Sequence, residues 1–500
     1  MTSMSIPTFR LYDTMTKRVR ELRTQEPGIL KFYTCGPTVY SYAHIGNFRS
    51  FLTSDLVVRT AAALGWKATW VCNITDVGHL TQDDVTDAGG EDRMAKGLTS
   101  KEGEQFVNVW ELADYYIAAF KEDWRRLNLV EPYVRPRATQ HIREQLLMAM
   151  ELVRMGKAYE TPSGVYFSVE SFPEYGKLSG NRDQDTLKRG VREVVSDENK
   201  HHPADFALWK KDDRHLMQWF SPYGWGFPGW HIECSAMSRA YLGDTLDLHA
   251  GGEDNIFPHH ECEVAQSEAL TGKPFSNHWI HTRHLQVEGQ KMSKSLGNFL
   301  TVREVTEERG FDPMALRLAL IGGVYSKPLN FTQQSLRDAA GNIERFREAL
   351  ARAESAAVSG RTAEEDLTQT LEDLYDQALE AMCNDLNTPV AVAKAIEGAK
   401  LILREGDALS EVSGLAGVRF LMKINDLLGI IANQHGQDAS VAGAPSVDEA
   451  AIQAMIDERA AAKAAKDYAR ADAIRLQLDE LHIEVQDTPN GTIWKVKSPE

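Results

Sequence analysis

The chain is poor in cysteine: 500 residues carry five, at positions 35, 72, 234, 262 and 383. Five scattered thiols cannot frame a disulfide-built fold of this length, so free thiols or metal ligands are expected. No CxxC pair occurs, and spacing alone therefore reads Cys35 and Cys234 as buried thiols and His259 as a core histidine. Long apolar runs are also missing. No stretch approaches the ~18 uncharged apolar residues of a membrane span, and the polar opening MTSMSIPTFR lacks the apolar run of a secretion signal. Membrane insertion is excluded and the cytoplasm is the expected compartment. Positive charge is short as well, with 55 Lys plus Arg against 72 Asp plus Glu and a net charge of -17. Indiscriminate binding to nucleic acid through bulk charge is thereby excluded, and any such contact must use local basic patches.

What is present is a globular composition, 43% hydrophobic, 25% charged and 9% aromatic, with apolar material for a sizeable core. At roughly 100 to 200 residues per domain, the length predicts about three domains. Lys31 to Pro37 reads as a strand, and Phe48, Phe51, Leu52 and Leu56 have helical spacing until Gly65. Lys67 to Thr75 is the next strand, which completes a βαβ unit and predicts a parallel sheet with ligands at its strand ends. The acidic stretch 81–96 reads as an exposed loop, with helices following to about Met155. A second set of α/β signals runs from Thr245 to Glu288, so the nucleotide fold is split. The part between the halves, Tyr159 to Tyr223, has no sustained helical period and reads as an inserted connective domain. After Phe311 the pattern is helical, as in Leu336 to Ala351 and Leu367 to Met382. A hairpin from about Leu481 with Asn490 and Gly491 at its turn closes the chain. No internal repeat is found.

His44, Ile45, Gly46 and Asn47 open a helix directly after a strand, where unpaired N–H groups and the positive helix end can hold phosphate. Alone, these four residues are a weak signal. Their partner is Lys291, Met292, Ser293, Lys294 and Ser295, flanked by Gly289 and Gly297 so that the loop can move. Its two lysines can neutralise charge developing on a leaving pyrophosphate. In order and distance, HIGN and KMSKS resemble the paired signatures of class I aminoacyl-tRNA synthetases.

Longer strings sharpen the resemblance: YTCGPTVYSYAHIGN at 33–47, NITD at 73–76, PGWHIECSAM at 228–237, FPHHECE at 257–263 and KMSKSLGNF at 291–299. Over nearly its whole length the chain resembles the cysteinyl-tRNA synthetases. The resemblance implies a split Rossmann-like parallel-sheet catalytic domain with an inserted connective domain, then a helical bundle and a small anticodon-binding hairpin region. It implies boundaries at 1–158 and 224–310 for the catalytic halves, 159–223 for the insertion, 311–445 for the helical stem and 446–500 for the C-terminal region.

By the same resemblance, one zinc ion per chain would be held by Cys35, Cys234, His259 and Glu263, a donor set suited to a tetrahedral ion. His259 and Glu263, four apart, would project from one helix face. Cys262 offers a competing thiol where the family more often has Asn, and helix spacing separates it only weakly from Glu263. Such a zinc would select substrate by its thiol, which serine cannot match, so no editing domain is needed. Gly36, Thr75 and Trp230 would line the cysteine pocket, with the indole closing over the side chain. Gly251, Gly252 and Asp254 in HAGGED would receive adenosine. Asn47 stands where this family usually has His, so an amide replaces one imidazole contact to ATP. Catalysis would rest on His44, Asn47, Lys291 and Lys294, with His44, Gly46, Asn47, Gly252, Asp254 and Lys294 around an ATP accompanied by magnesium.

For an RNA partner, Arg459, Lys463, Lys466 and Arg470 form a basic stripe on an expected helix, against the plainer reading of a solvated face with Glu458, Asp467 and Asp472 interleaved. The terminal GTIW string resembles the family's anticodon-binding end, where Trp494 would stack an unpaired base and Asp487 would read a base edge. The implied partners are tRNA(Cys), ATP and L-cysteine, with no membrane, and the resemblance favours a monomer. Two rivals are weighed: a cysteine ligase paralogue that loads an aminosugar, and a zinc-dependent RNA-binding protein without turnover. The long region after Ser326 speaks against the first, and intact His44, Lys291 and Lys294 against the second.

Overall fold

The computed structural model describes residues 7–80, 91–181, 199–292, 298–362, 366–432, 449–464, 467, 470–471, 474–475, 477–478, 483–488 and 491–496. Its centre is a four-stranded parallel sheet of β1 (Ile29–Thr34), β2 (Lys67–Cys72), β3 (Leu248–Gly252) and β4 (Trp279–Thr282), in the order β4-β3-β1-β2. Strands buried on both faces need apolar runs, which Phe32 and Tyr33 of β1 and Trp70 to Cys72 of β2 supply, while the buried Thr34 hydroxyl is satisfied by Trp70 Nε1, which donates to it at 2.9 Å. Helix α1 (Ile45–Ala63) joins β1 to β2 and is buried nearly all round, with Phe48, Phe51, Leu52, Leu56 and Val57 in the core. It stops at Leu64, and Gly65 takes a left-handed φ of 78° that turns the chain back into β2. The chain leaves β1 towards β2 on one side and β3 towards β4 on the other. A crevice therefore opens at the carboxyl ends of β1 and β3, the place where open parallel sheets hold ligands.

Between the sheet halves lies a five-stranded antiparallel sheet of residues Ala158–Thr161, Gly164–Phe167, Phe206–Lys210, Gly224–Pro228 and Trp219–Ser221. Its last strand runs to Pro228, past the expected boundary at 223, and leads into α2 (Trp230–Leu242). Phe167, Phe206, Leu208 and Trp209 share one core with Ile232 and Ala236 of α2 and with Cys262 and Ala265 of α3 (Glu261–Thr271). The insertion is thus packed onto the helices that bear the site residues.

After β4, the strands β5 (Leu285–Val287), β6 (Gln290–Lys291) and β7 (Leu329–Phe331) form a small sheet in the order β6-β5-β7. The helix Pro313–Ile321 lies between β6 and β7, and the helices Gln333–Ala357, Thr368–Cys383, Thr388–Glu405 and α4 (Glu411–Leu428) follow β7. Two compact units result, Met1–Val302 with Pro313–Gln434, and Arg303–Asp312 with His435–Glu500. The second contains the helix Glu449–Ala464 and the antiparallel hairpin Ile483–Thr488 and Gly491–Val496.

Two local expectations are corrected. Of the stretch read as a loop, 81–90 lie outside the described residues, but Arg93–Leu98 is a helix because Asp92 caps it, accepting from the Met94 N–H at 3.0 Å. Gly491 pairs with Thr488 and so opens the second strand of the hairpin instead of sitting in its turn; Asn490 lies outside the described residues. Among the described residues no helix is long and apolar enough to cross a membrane.

Candidate active site and metal centre

His44 caps α1 in a reciprocal box with Asn47. Its Nδ1 accepts from the Asn47 N–H at 3.1 Å, while Asn47 Oδ1 accepts from the His44 N–H at 3.1 Å. A neutral imidazole that accepts at Nδ1 carries its proton on Nε2, which makes that nitrogen a hydrogen-bond donor. The two signatures meet here. A Cβ on Gly46 would come within 2.9 Å of Met292 Cε, the Phe299 ring lies edge-on to His44 at 5.1 Å, and the Ile45 N–H donates to the Leu300 carbonyl at 2.9 Å. Lys291 is exposed on β6, and its carbonyl accepts from Asn298 Nδ2 at 3.1 Å. Lys294 lies outside the described residues. On the other lip of the crevice, Gly251 and Gly252 end β3. A Cβ on Gly251 would meet His260 Cε1 at 2.7 Å, so only glycine leaves this strand end open. Asp254 beyond it is exposed.

Beneath the crevice, donors from both sheet halves converge. Cys35 Sγ stands 3.6 Å from Cys234 Sγ and 3.5 Å from Glu263 Oε1, and His259 Nε2 is 2.9 Å from the same Glu263 oxygen. Cys35 follows β1, Cys234 lies in α2 and Glu263 in the first turn of α3. His259 belongs to the preceding turn Ile256–His260, so the i, i+4 pair forms across a helix entry and not within a regular helix. Zinc bonds of about 2.3 Å to sulfur and about 2.1 Å to oxygen give tetrahedral edges of roughly 3.8 Å between two sulfurs and roughly 3.6 Å between sulfur and oxygen. The two sulfur separations match these edges, while the His259–Glu263 contact would have to open. The residues present therefore fit a metal ion.

The charges fit as well. Burial would raise Cys234, but contact with Cys35 and with His259 brings its thiol down to about 6. Burial would lower His259, yet Glu263 and Cys234 raise it to about 10, and burial would raise Glu263, yet His249 and His259 hold it at about 2. Cys35 is held well above the usual thiol value by burial and then by Cys234. Uptake of a cation by such a set would release the protons of Cys35 and His259.

A fifth donor was not foreseen. His260 Nε2 lies 3.3 Å from Cys35 Sγ, and the ligand atoms of Cys35, His259, His260 and Glu263 lie within 4.8 Å of one another. His260 Nδ1 is shared with His281 Nε2 at 2.7 Å, and His249 Nε2 meets Glu263 Oε2 at 2.9 Å, so imidazoles orient the cluster from behind. The HH pair in FPHHECE was the available signal. Cys262 points elsewhere, packed in the insertion core with its Sγ 3.5 Å from Tyr175 Oη.

Two of the expected pocket residues, Gly36 and Thr75, meet at Asn73. The Gly36 N–H donates to Asn73 Oδ1 at 2.8 Å, a Cβ on Gly36 would fall on the Asn73 carbonyl, and Asn73 Nδ2 donates to Thr75 Oγ1 at 3.2 Å. Trp230 stacks on His79 at 4.1 Å and 7° and on His259 at 4.2 Å and 27°. Two rings so close and so nearly parallel cannot share one face, so the imidazoles flank the indole. That leaves its edge to line a pocket.

The description "tRNA synthetases class I (C) catalytic domain" fits residues 21–341. The cysteine–tRNA ligase of Salinibacter ruber is 52% identical over 512 residues, covering 98% of this chain and 99% of that protein. This chain belongs to the cysteine–tRNA ligase family. The family's member from Chlorobium chlorochromatii is 40% identical over 97% of this chain and 99% of its own length. Among solved structures, Mycobacterium tuberculosis methionyl-tRNA synthetase in complex with methionyl-adenylate superposes with a TM-score of 0.57 at 13% identity, covering 83% of this chain and 96% of that one. That likeness shows the class I fold. A cysteine–tRNA ligase relative matched from end to end does not favour a paralogue that stops at the catalytic body, nor a protein without turnover.

At the C-terminal end of this ligase-family chain, the basic stripe does not form as expected. Arg459 is 5% exposed and so is not a surface cation, and Arg470 is paired with Glu458. Lys463 is exposed and Lys466 lies outside the described residues. Helical spacing puts residues on one face but does not say which face is covered. Asp487 and Trp494 sit in the two paired strands, opposite Thr492 and Val485.

Proposed function

We propose that this chain activates L-cysteine with ATP, forming cysteinyl adenylate and pyrophosphate, and passes the cysteinyl group to the 3′-terminal adenosine of tRNA(Cys) with release of AMP. One observation carries the reading: Gly46 of HIGN lies against Met292, the second residue of KMSKS, near a buried cluster in which Cys35 meets Cys234 and Glu263, and Glu263 meets His259. The cysteine carboxylate attacks the α-phosphorus in line and pyrophosphate leaves. The chain's part is positioning and charge stabilisation, without a covalent protein intermediate. The α1 N-terminus and His44 Nε2 donate to phosphate oxygens, Gly46 lets the nucleotide approach, and Asn47 holds His44 through the capping box. Gly252 and Asp254 receive the adenosine, Lys291 and Lys294 neutralise the pyrophosphate, and magnesium accompanies ATP as its charge partner.

One zinc ion per chain, on Cys35, Cys234, His259 and Glu263, would supply a soft Lewis-acid contact that favours a thiol over serine's hydroxyl. Gly36, Thr75 and Trp230 shape the space beside it. We assign activation to residues 1–158 and 224–310, connection to 159–223 together with the insertion sheet's strand Gly224–Pro228, the stem to 311–445 and anticodon recognition to 446–500, with Lys463, Lys466, Asp487 and Trp494 for the RNA. We place the chain in the cytoplasm as a monomer. The test is exchange of pyrophosphate into ATP across amino acids: exchange is expected with cysteine and lost in Lys294→Ala. Equal exchange with serine would overturn the selection account.

A further inference from the structure

Arg49 follows the HIGN residues on α1, is 2% exposed, and spends its guanidinium on backbone oxygens. Nη1 donates to the carbonyls of Arg283 and, at 3.2 Å, of His284. Nη2 donates to the carbonyls of Val324 at 3.2 Å and Lys327 at 2.8 Å. Burial opposes this charge and the Glu253 carboxylate supports it, so the guanidinium is a costly way to join segments that apolar contacts could join. What the arrangement yields is a rigid, five-donor fork in one geometry.

The same dipeptide is gripped from its other side. Glu253, between Gly252 and Asp254 in the turn after β3, accepts from the His284 N–H with Oε1 at 2.6 Å and from Arg283 Nη1 with Oε2. The Arg283 N–H donates to the Tyr325 carbonyl at 2.9 Å. Arg283 and His284 are the whole link between β4 and β5, and β5 is paired with β6 so that Gln286 faces Lys291. Helix α1 and the glycine turn thus reach Lys291 through one clamped dipeptide and one short strand pair.

We propose that Arg49 and Glu253 are positioning residues that clamp Arg283–His284 between the HIGN helix and the glycine turn, and so set where Lys291 is presented to the pyrophosphate of ATP. The clamp rests on the activation reading above and deepens it. It explains how three segments far apart in sequence act on one triphosphate: α1 and the glycine turn are hydrogen-bonded to the same two residues, from which the short β5–β6 pair leads to Lys291. The proposal predicts a defect confined to adenylate formation, because the pyrophosphate that Lys291 neutralises has left before the transfer step.

The experiment uses the full, metal-replete chain and compares wild type, Glu253→Ala, Glu253→Gln and Arg49→Lys in two single-turnover measurements. One follows adenylate formation from cysteine and ATP, and the other follows transfer from preformed cysteinyl adenylate to tRNA. Glu253→Ala is expected to slow adenylate formation, within the limit of about 100-fold that a displaced catalytic group costs, with KM for cysteine and the transfer rate unchanged. Glu253→Gln keeps an oxygen for the His284 N–H and is expected to recover most of the rate. Arg49→Lys, which replaces the fork by one nitrogen, is expected to follow Glu253→Ala. If Arg49→Lys does not fold, Glu253→Ala decides alone, since Glu253 is only half-buried at the crevice rim. Equal slowing of both steps, no slowing of either, or a matching rise in KM for cysteine would overturn the clamp. A wild-type chain inactive with cysteine would overturn the activation reading and the clamp with it, whereas an active wild type with an unaffected Glu253→Ala overturns the clamp alone.

Discussion

Replacing Asp55 with Asn should destabilise the catalytic body more than any surface charge change. Asp55 lies on α1, fully buried, and accepts from Arg59 Nε at 2.8 Å, from Arg317 Nη2, and from the Val130 N–H at 2.7 Å. The two guanidinium groups, nearly unexposed themselves, also tie α1 to the end of α4, with Arg317 Nε on the Leu428 carbonyl at 2.8 Å and Arg59 Nη1 on the Asp426 carbonyl at 3.0 Å. At an effective dielectric of 20 each pair is worth about 4 kcal/mol, so asparagine removes about 8 kcal/mol of attraction. It also removes the carboxylate's desolvation cost of several kcal/mol, which leaves a net loss of about 3 to 5 kcal/mol. Urea denaturation followed by tryptophan fluorescence should therefore show the first transition at a midpoint lower by about 1 to 2 M, given a slope of about 3 kcal/mol per M, the upper end of the usual range, for a unit of this size. Asp212→Asn is the control, because its pair with Arg214 is exposed and worth about 0 to 1 kcal/mol. Burial opposes ionisation of Asp55, but Arg317 and Arg59 outweigh it and its pKa is lowered. A lowered folded value means the contribution is complete above the unfolded value of about 3.9 and is lost as the pH falls through the folded one. The difference between wild type and Asp55→Asn should accordingly be constant from neutral pH down to about 5 and shrink only in stronger acid. An Asp55→Asn midpoint no lower than that of Asp212→Asn would refute the argument.

Two further outcomes follow from the site. Metal analysis of fresh protein should give about one zinc per chain, reduced by Cys234→Ala or His259→Ala and unchanged by Cys262→Ala, whose side chain packs in the insertion core; a loss of zinc in Cys262→Ala would contradict that placement. Trp230 is fixed in place by two imidazole stacks, and losing the contact of its edge with a bound cysteine, about 1 to 3 kcal/mol for a small apolar contact, should raise KM for cysteine at least roughly tenfold in Trp230→Ala. Steady-state exchange kinetics with KM for ATP as the internal reference would show it, and an equal rise in both constants would count against a role in the cysteine pocket.

The sequence by itself determined the local elements and their chemistry. Apolar runs, capping residues and glycine turns are short-range signals, so β1, α1, β2 and β3 were legible to within a few residues, as were the helices after Phe311. HIGN and KMSKS were legible as strings, because a chemistry that needs given side chains in order leaves them in the chain, whereas Cys35, Cys234, His259 and Glu263 entered as candidate metal donors only through the family resemblance. Only the tertiary structure decided which faces meet. It turned Cys262 into the insertion core while Glu263, its neighbour, faces Cys35, and it buried Arg459, which periodicity alone had put on a basic face. It added His260 to the donors and clasped Arg283–His284 between Arg49 and Glu253. The reason is physical: a helix or strand period fixes which residues share a side, while burial and hydrogen-bond partners depend on segments hundreds of residues away whose packing no local pattern encodes.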